Sequence, residues 1–222
     1  MRDLPKNPWL DTPNKNPFIL PSDEMAIRVF NRHASPDFEI HTNLVPEPFF
    51  GPFNAPIVVL LLNPGVDDDD ARAHRSPKLR AKLLRNLRRD DSEMPHVHLG
   101  SHDRHPGALW WGRAVDQLGC RERVARSILA IQYFPYHSRR FAHSSIRLPS
   151  QEFTFALVRR AISRGAVIVQ ARGLDYWLGA VPELAAHSPW IRPSNVRRLL
   201  LSRGNLGKSF TVIQNAVKYA DA

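Results

Sequence analysis

The chain of 222 residues carries a single cysteine, Cys120. Within one chain this excludes a disulfide framework, a cysteine zinc site and a cysteine-ligated iron–sulfur cluster. A reducing cytoplasm fits that composition, and cytoplasmic localisation is the expectation. Long apolar runs are also missing. The opening MRDLPKNPWLDTPNKNPF has no hydrophobic centre, so neither a signal peptide nor a membrane anchor is expected. No GxxxxGKS/T occurs, which removes a P-loop, and no GxGxxG, which argues against a dinucleotide fingerprint. A GxSxG nucleophile elbow and an HExxH zinc helix are absent as well. Acidic residues are outnumbered: 31 Lys and Arg face 21 Asp and Glu, giving a net charge of +10 and an isoelectric point of 10.4. Such an excess points to a polyanionic partner, nucleic acid first, with solubility as the bland alternative. Hydrophobic residues, at 43%, argue against disorder throughout and suit one domain with a real core.

What is present is organised around Val45 to Gly65, VPEPFFGPFNAPIVVLLLNPG. The run Ile57 to Leu62 reads as a strand buried on both faces, as in a parallel sheet. It stops at Asn63-Pro64-Gly65, and loops at the carboxyl ends of such strands are where open α/β sheets hold ligands. Pro64 stiffens that turn, and Gly65 offers backbone freedom. Ser127 to Tyr133 forms a second strand ending in a polar and aromatic cluster, Gln132 through Ser138. Ala166 to Gln170 and Val196 to Leu201 supply a third and a fourth, the last running into Ser202-Arg203-Gly204-Asn205. Four buried strands separated by helices imply right-handed crossovers and a short four-stranded parallel sheet in an α/β/α sandwich.

Elsewhere, residues 1–22 hold five prolines and read as an extended arm, leaving 23–222 as one domain. Ser22 is a plausible cap for a short helix. Asp67 to Asp70 read as a solvated loop or helix start rather than a cation site. Leu79, Leu83, Leu84 and Leu87 mark a basic amphipathic helix over Ser76 to Arg89. Helices are also expected over 108–118, from a Pro149-Ser150-Gln151-Glu152 start through about thirteen residues, within 173–187, and at roughly 207–219. Trp110 and Trp111 read as core anchors. Residues 90–107 read as a surface loop whose His96, His98, His102 and His105 match no metal-binding spacing, so no metal or other cofactor is expected.

Taken together, PEPFFGPF ahead of the first strand, LLLNPG at its end, Gln132-Tyr133-Phe134-Pro135 at the second strand end and SerArgGlyAsnLeuGly before the last helix resemble the uracil-DNA glycosylase superfamily. The resemblance covers most of residues 45–220 in element order and rests mainly on LLLNPG and its lead-in. It implies hydrolysis of the N-glycosidic bond of a damaged or deaminated base flipped out of DNA. Asn63 would position the attacking water, Gln132 would read the base edge, and Phe50, Phe53 or Tyr133 would stack on its face. Pro64 and Gly65 would shape the pocket. Ser202, Arg203 and Asn205 would engage the nucleic acid.

The sequence departs from the family pattern at three places. Leu61 stands where the first motif begins with Gly, Gln132 where the closest subfamilies have Asn, and Ser202 where the second motif has a His. His137 is the candidate to replace that histidine, with a structural role in the PYHS turn as the alternative. Two other functions stay open: a nucleic-acid binder that has lost the chemistry, and a metal-dependent hydrolase using the His-rich loop. DNA, single- or double-stranded, is the expected partner in the first two, with no membrane and no iron–sulfur cluster involved.

Overall fold

The computed structural model describes residues 4–89, 94–100, 103–196 and 198–220. Its centre is a five-stranded sheet made of β1 (Phe49–Phe50), β2 (Ile57–Leu61), β3 (Ile128–Gln132), β4 (Val167–Gln170) and β5 (Trp190–Ile191), in the spatial order β1-β3-β2-β4-β5. Strands β3, β2, β4 and β5 run parallel, and β1 closes one edge antiparallel to β3. Every residue of β2, β3 and β4 is buried. That is why these three strands read as unbroken apolar runs rather than alternating ones.

The helices are α1 (Pro21–Asn31), α2 (Asp68–Ala73), α3 (Pro77–Arg88), α4 (Pro106–Val115), α5 (Arg121–Ser127), α6 (Gln151–Ser163), α7 (Leu174–Ala180), α8 (Arg203–Leu206) and α9 (Ser209–Lys218). Local chemistry sets several of their ends. Asp67 and Asp70 form a reciprocal capping box at the start of α2, which resolves the aspartate run as a helix start. Ser76 caps α3, whose Leu79, Leu83, Leu84 and Leu87 face inward as the spacing predicts. Pro21, not Ser22, opens α1, since its fixed φ and missing N–H suit the first helical position. Helix α9 lies against β2 and β4 and touches α5, while α6 lies against β3. Among the described residues no helix is long and apolar enough to cross a membrane.

Two expectations about the sheet are corrected. It has five strands rather than four, and Val196 to Leu201 is not one of them. The fourth parallel strand is Trp190–Ile191, which pairs with Ile168 and Val169. The 196–201 run contains two arginines, and Val196 is exposed. Leu199 and Leu201 are buried, and the Leu201 N–H donates to Ala114 O at the end of α4 instead of to a strand.

The proline-rich beginning is part of the common core. Trp9, Phe18 and Leu20 are essentially fully buried, and Pro8–Asp11 makes a 3-10 turn. The basic face of α3 turns partly inward too. Arg88 reaches Asn14 and Thr12 O, Lys82 pairs with Asp103, and buried Asn86 donates to Phe49 O at 2.7 Å.

Candidate active site

The chain passes from β2 to β3 on one side and then returns to β4 on the other, so the sheet's switch point falls at the carboxyl end of β2. A cavity of about 830 Å³ opens there. The loop after β3 is bonded onto the loop after β2: the N–H groups of Tyr133, Phe134 and Ser138 donate to the carbonyls of Leu61, Leu62 and Pro64. Residues ahead of β1 continue its antiparallel path, with Gln132 N–H donating to Pro48 O and Glu47 N–H to Pro135 O, both at 2.9 Å. Three segments distant in sequence thus share one wall.

Asn63 lies at the cavity with its amide orientation fixed. Nδ2 donates to Ser138 Oγ at 2.9 Å and to Pro64 O at 3.1 Å. Ser138, fully buried, in turn meets His143 Nε2 at 2.9 Å. Burial among Phe30, Phe134 and Phe141 lowers the His143 pKa to about 4, so its ring is neutral at neutral pH. The chain Asn63–Ser138–His143 leaves Asn63 Oδ1 without a partner among the described residues. Gln132, one strand over and 6% exposed, also lines the cavity, and its Oε1 is buried without a partner among the described residues. Both carboxamide side chains thus line one space.

Phe50, Pro64 and Gly65 line the same cavity. Phe50 is buried, with its ring edge-on to His98 at 4.4 Å between centroids. At Gly65 an added Cβ meets nothing within 4 Å and φ is not positive, so its backbone freedom is not in use. Leu61 is buried at the cavity floor.

Other expected site residues lie elsewhere. Phe53 packs on Phe49 and Phe153 beneath the Arg89 guanidinium, 3.7 Å from its ring centre. Tyr133 packs on Phe155, Tyr176 and Trp177. Neither reaches the cavity, because alternate positions of a strand and its exit turn point to opposite sides. Ser202, Arg203 and Asn205 also stay outside it. Ser202 caps α8, Asn205 is buried and donates to Asn195 O and Leu200 O, and Arg203 holds Gln117 Oε1 through its N–H.

His137 lines the cavity wall but is not a free donor: its Nδ1 is 3.0 Å from Gly65 O and its Nε2 is 3.1 Å from Val45 O. Burial, opposed by the Glu47 charge, brings its pKa to about 4. The structural alternative for this residue is the one the geometry matches.

Sequence reasoning missed Glu47, His74, Ser138, His143 and the cavity role of Trp110. Glu47 is buried with His74 Nε2 3.6 Å from Oε1 and His98 Nε2 3.5 Å from Oε2. Burial alone raises its pKa, but the His98 charge and hydrogen bonding from His74 and His98 bring it well below the usual carboxylate range. The available signal was a lone carboxylate between two prolines in an otherwise apolar lead-in. His96 and His98 are buried rather than on a surface loop, with His96 against Trp111. Desolvation lowers the His96 pKa. His105 lines the cavity and caps α4, and His102 lies outside the described residues. Trp111 is a core anchor as expected, but Trp110, 42% exposed, lines the cavity beside Leu109. The cations Arg113, Arg139, Arg140 and Arg172 line it as well. Arg139 is paired with Asp68 and Arg140 with Asp37. In comparisons with known proteins, no family model, curated protein or solved structure matches the chain.

Proposed function

We propose that the protein is a uracil-DNA glycosylase-like hydrolase, built as a three-layer α/β/α sandwich, that cleaves the N-glycosidic bond of a flipped base in DNA. The observation that carries this reading is the convergence of Asn63 and Gln132 on one cavity at the ends of adjacent parallel strands, with the Asn63 amide held by Ser138 Oγ and Pro64 O. A volume of about 830 Å³ is ample for a nucleoside and falls within the usual range of small-molecule sites.

In the proposed reaction Asn63 Oδ1 accepts a hydrogen bond from water and aims it at the sugar carbon C1′. The water oxygen bonds to C1′ as the C1′–N bond breaks. The bonding electrons leave with the base, and the water proton passes to solvent or to the departing base. A carboxamide orients water but is a poor proton acceptor, so slow turnover is expected. Gln132 offers a donor and an acceptor side by side, complementary to a base edge with an adjacent acceptor and N–H. Exposed Trp110 is the aromatic face available for stacking at this cavity among the described residues, and buried Phe50 backs its wall. Arg172, just past β4, and Arg113 on α4 are the cationic side chains suited to facing the charge that develops on the base. Ser202 is not assigned that part, because it caps α8.

The test is base release from single- and double-stranded oligonucleotides carrying uracil, hypoxanthine, xanthine or a mismatched thymine. Wild type and Asn63→Ala are run together while binding is followed against salt. Release that vanishes in Asn63→Ala supports the reading and names the base. Salt-dependent binding without release from any substrate points instead to a non-catalytic nucleic-acid binder.

A further inference from the structure

We propose that Glu47, His74 and His137 form a binding site for a divalent first-row transition-metal ion, with zinc the best match, at the wall of the same cavity. Each offers one ligand atom, and the three atoms lie within 4.8 Å of one another. All three residues are buried. The inference does not rest on the glycosidase reading, and its readout is metal uptake.

The first argument is distance. A hydrogen bond between imidazole and carboxylate spans about 2.7–3.2 Å. Two atoms that each lie about 2.0–2.1 Å from a tetrahedral zinc are about 3.3–3.4 Å apart. The His74 Nε2–Glu47 Oε1 separation is 3.6 Å and the His98 Nε2–Glu47 Oε2 separation is 3.5 Å. The His74–Glu47 separation exceeds a good hydrogen bond and approaches the spacing of two ligands around an ion.

The second argument is the excess of acceptors. Both His137 ring nitrogens face backbone carbonyls, which only accept, yet a neutral imidazole has one N–H to give. One of those contacts sets a lone pair against an oxygen. Moving that nitrogen onto a metal removes the conflict and leaves the other N–H on its carbonyl, the arrangement that metal-bound histidines adopt. His74 Nδ1 and His98 Nδ1 are also buried without partners among the described residues.

Two imidazoles and one carboxylate suit a borderline ion rather than calcium or magnesium. His98 acts behind them by holding the second carboxylate oxygen. The cavity side is left for water or a ligand oxygen to complete the coordination. The sequence hid this site because its members stand at positions 47, 74 and 137, and only His98 belongs to the histidine-rich segment.

The test is equilibrium dialysis of the chelator-treated full chain against micromolar zinc, with metal counted by elemental analysis and cobalt used as an optical probe. One zinc per chain and intense visible cobalt bands of a low-coordinate site are expected. Glu47→Gln and His74→Ala are expected to lose stoichiometric uptake. His98→Ala should weaken it by roughly tenfold to a hundredfold. His33→Ala, an exposed histidine, should behave as wild type. Substoichiometric zinc in the wild type overturns the proposal, as does a cobalt spectrum indistinguishable from that of the aqueous ion, and neither result requires a variant to fold. Equal uptake by folded Glu47→Gln and His74→Ala also overturns it. Loss of metal without loss of base release would leave the two readings separate.

Discussion

Replacing Ser138 with alanine removes one oxygen atom on which two buried groups depend. Asn63 Nδ2 loses its 2.9 Å acceptor and keeps only Pro64 O, while His143 Nε2 loses the hydroxyl at 2.9 Å. His143 Nδ1 already lacks a partner among the described residues, so its ring would be left with no hydrogen bond in an aromatic pocket. Stranding a buried polar atom costs about 1–3 kcal/mol. Urea unfolding should therefore give Ser138→Ala a lower midpoint with an unchanged slope. Base release should fall about tenfold, equivalent to about 1.4 kcal/mol of activation free energy, because Asn63 is free to turn its Oδ1 away from the water. The double variant Ser138→Ala/His143→Phe separates the two effects. Phenylalanine suits a pocket formed by Phe30, Phe134 and Phe141 and removes the stranded nitrogen, so stability should largely return. Activity should not return, since Asn63 remains unheld. If Ser138→Ala unfolds at the wild-type midpoint, or if the double variant regains full activity, the chain does not position Asn63 and the reasoning fails.

Gln132→Leu should abolish base release yet raise stability by about 1 kcal/mol, because it removes a buried Oε1 that has no partner among the described residues; urea titration and the oligonucleotide assay read the two signs. Gly51→Ala should be severely destabilised, by about 3 kcal/mol or more in thermal or urea unfolding. Gly51 sits at φ +98°, and a Cβ there would stand 1.9 Å from Ile128 O, inside the pairing of β1 with β3. Asp70 has its pKa raised to about 6 by burial, so the folded state resists an ionisation that the unfolded chain completes near 3.8. Wild type therefore loses stability as pH rises from about 4 to 6, whereas Asp70→Asn does not. The variant should match wild type below pH 4 and exceed it above pH 6 by about 1 kcal/mol, allowing for solvent screening of a partly exposed group, as measured by melting temperature across pH.

The parts of the fold legible in the sequence were those set by local chemistry. β2, β3 and β4 announce themselves because strands buried on both faces need apolar residues at every position. The helix beginning after Ser76 does so through its cap and leucine spacing. Two-residue strands carry too little pattern to read: Phe49–Phe50 and Trp190–Ile191 become strands only because a neighbour offers a free edge. The longer run at 196–201 looked more strand-like and lost to packing against α4. In the cavity, Asn63 and Gln132 were legible because strand ends are where such sites form. Phe53 and Tyr133 were misplaced because an aromatic next to a motif gives no sign of which way it points. Glu47, His74 and the Ser138–His143 pair were invisible, since no local spacing links residues joined only by tertiary contacts.

The burial of Trp9, Phe18 and Leu20 bears on how the chain folds. Tyr136 OH donates to Asp23 and accepts from Leu20 N–H, and the Ser150 N–H donates to Asp23 as well; these bonds span 113, 116 and 127 positions of sequence. Trp9 packs on the same tyrosine ring, immediately before His137 and Ser138. These contacts form only once Tyr136 and Ser150, far along the chain, are in place. Until then Trp9, Phe18 and Leu20 stay exposed, and the loop bearing Ser138 lacks its backing. A variant lacking residues 9–20 should keep its sheet yet lose the alignment of its cavity, so the proline-rich segment works as a late-closing clasp on the loop that carries the chemistry.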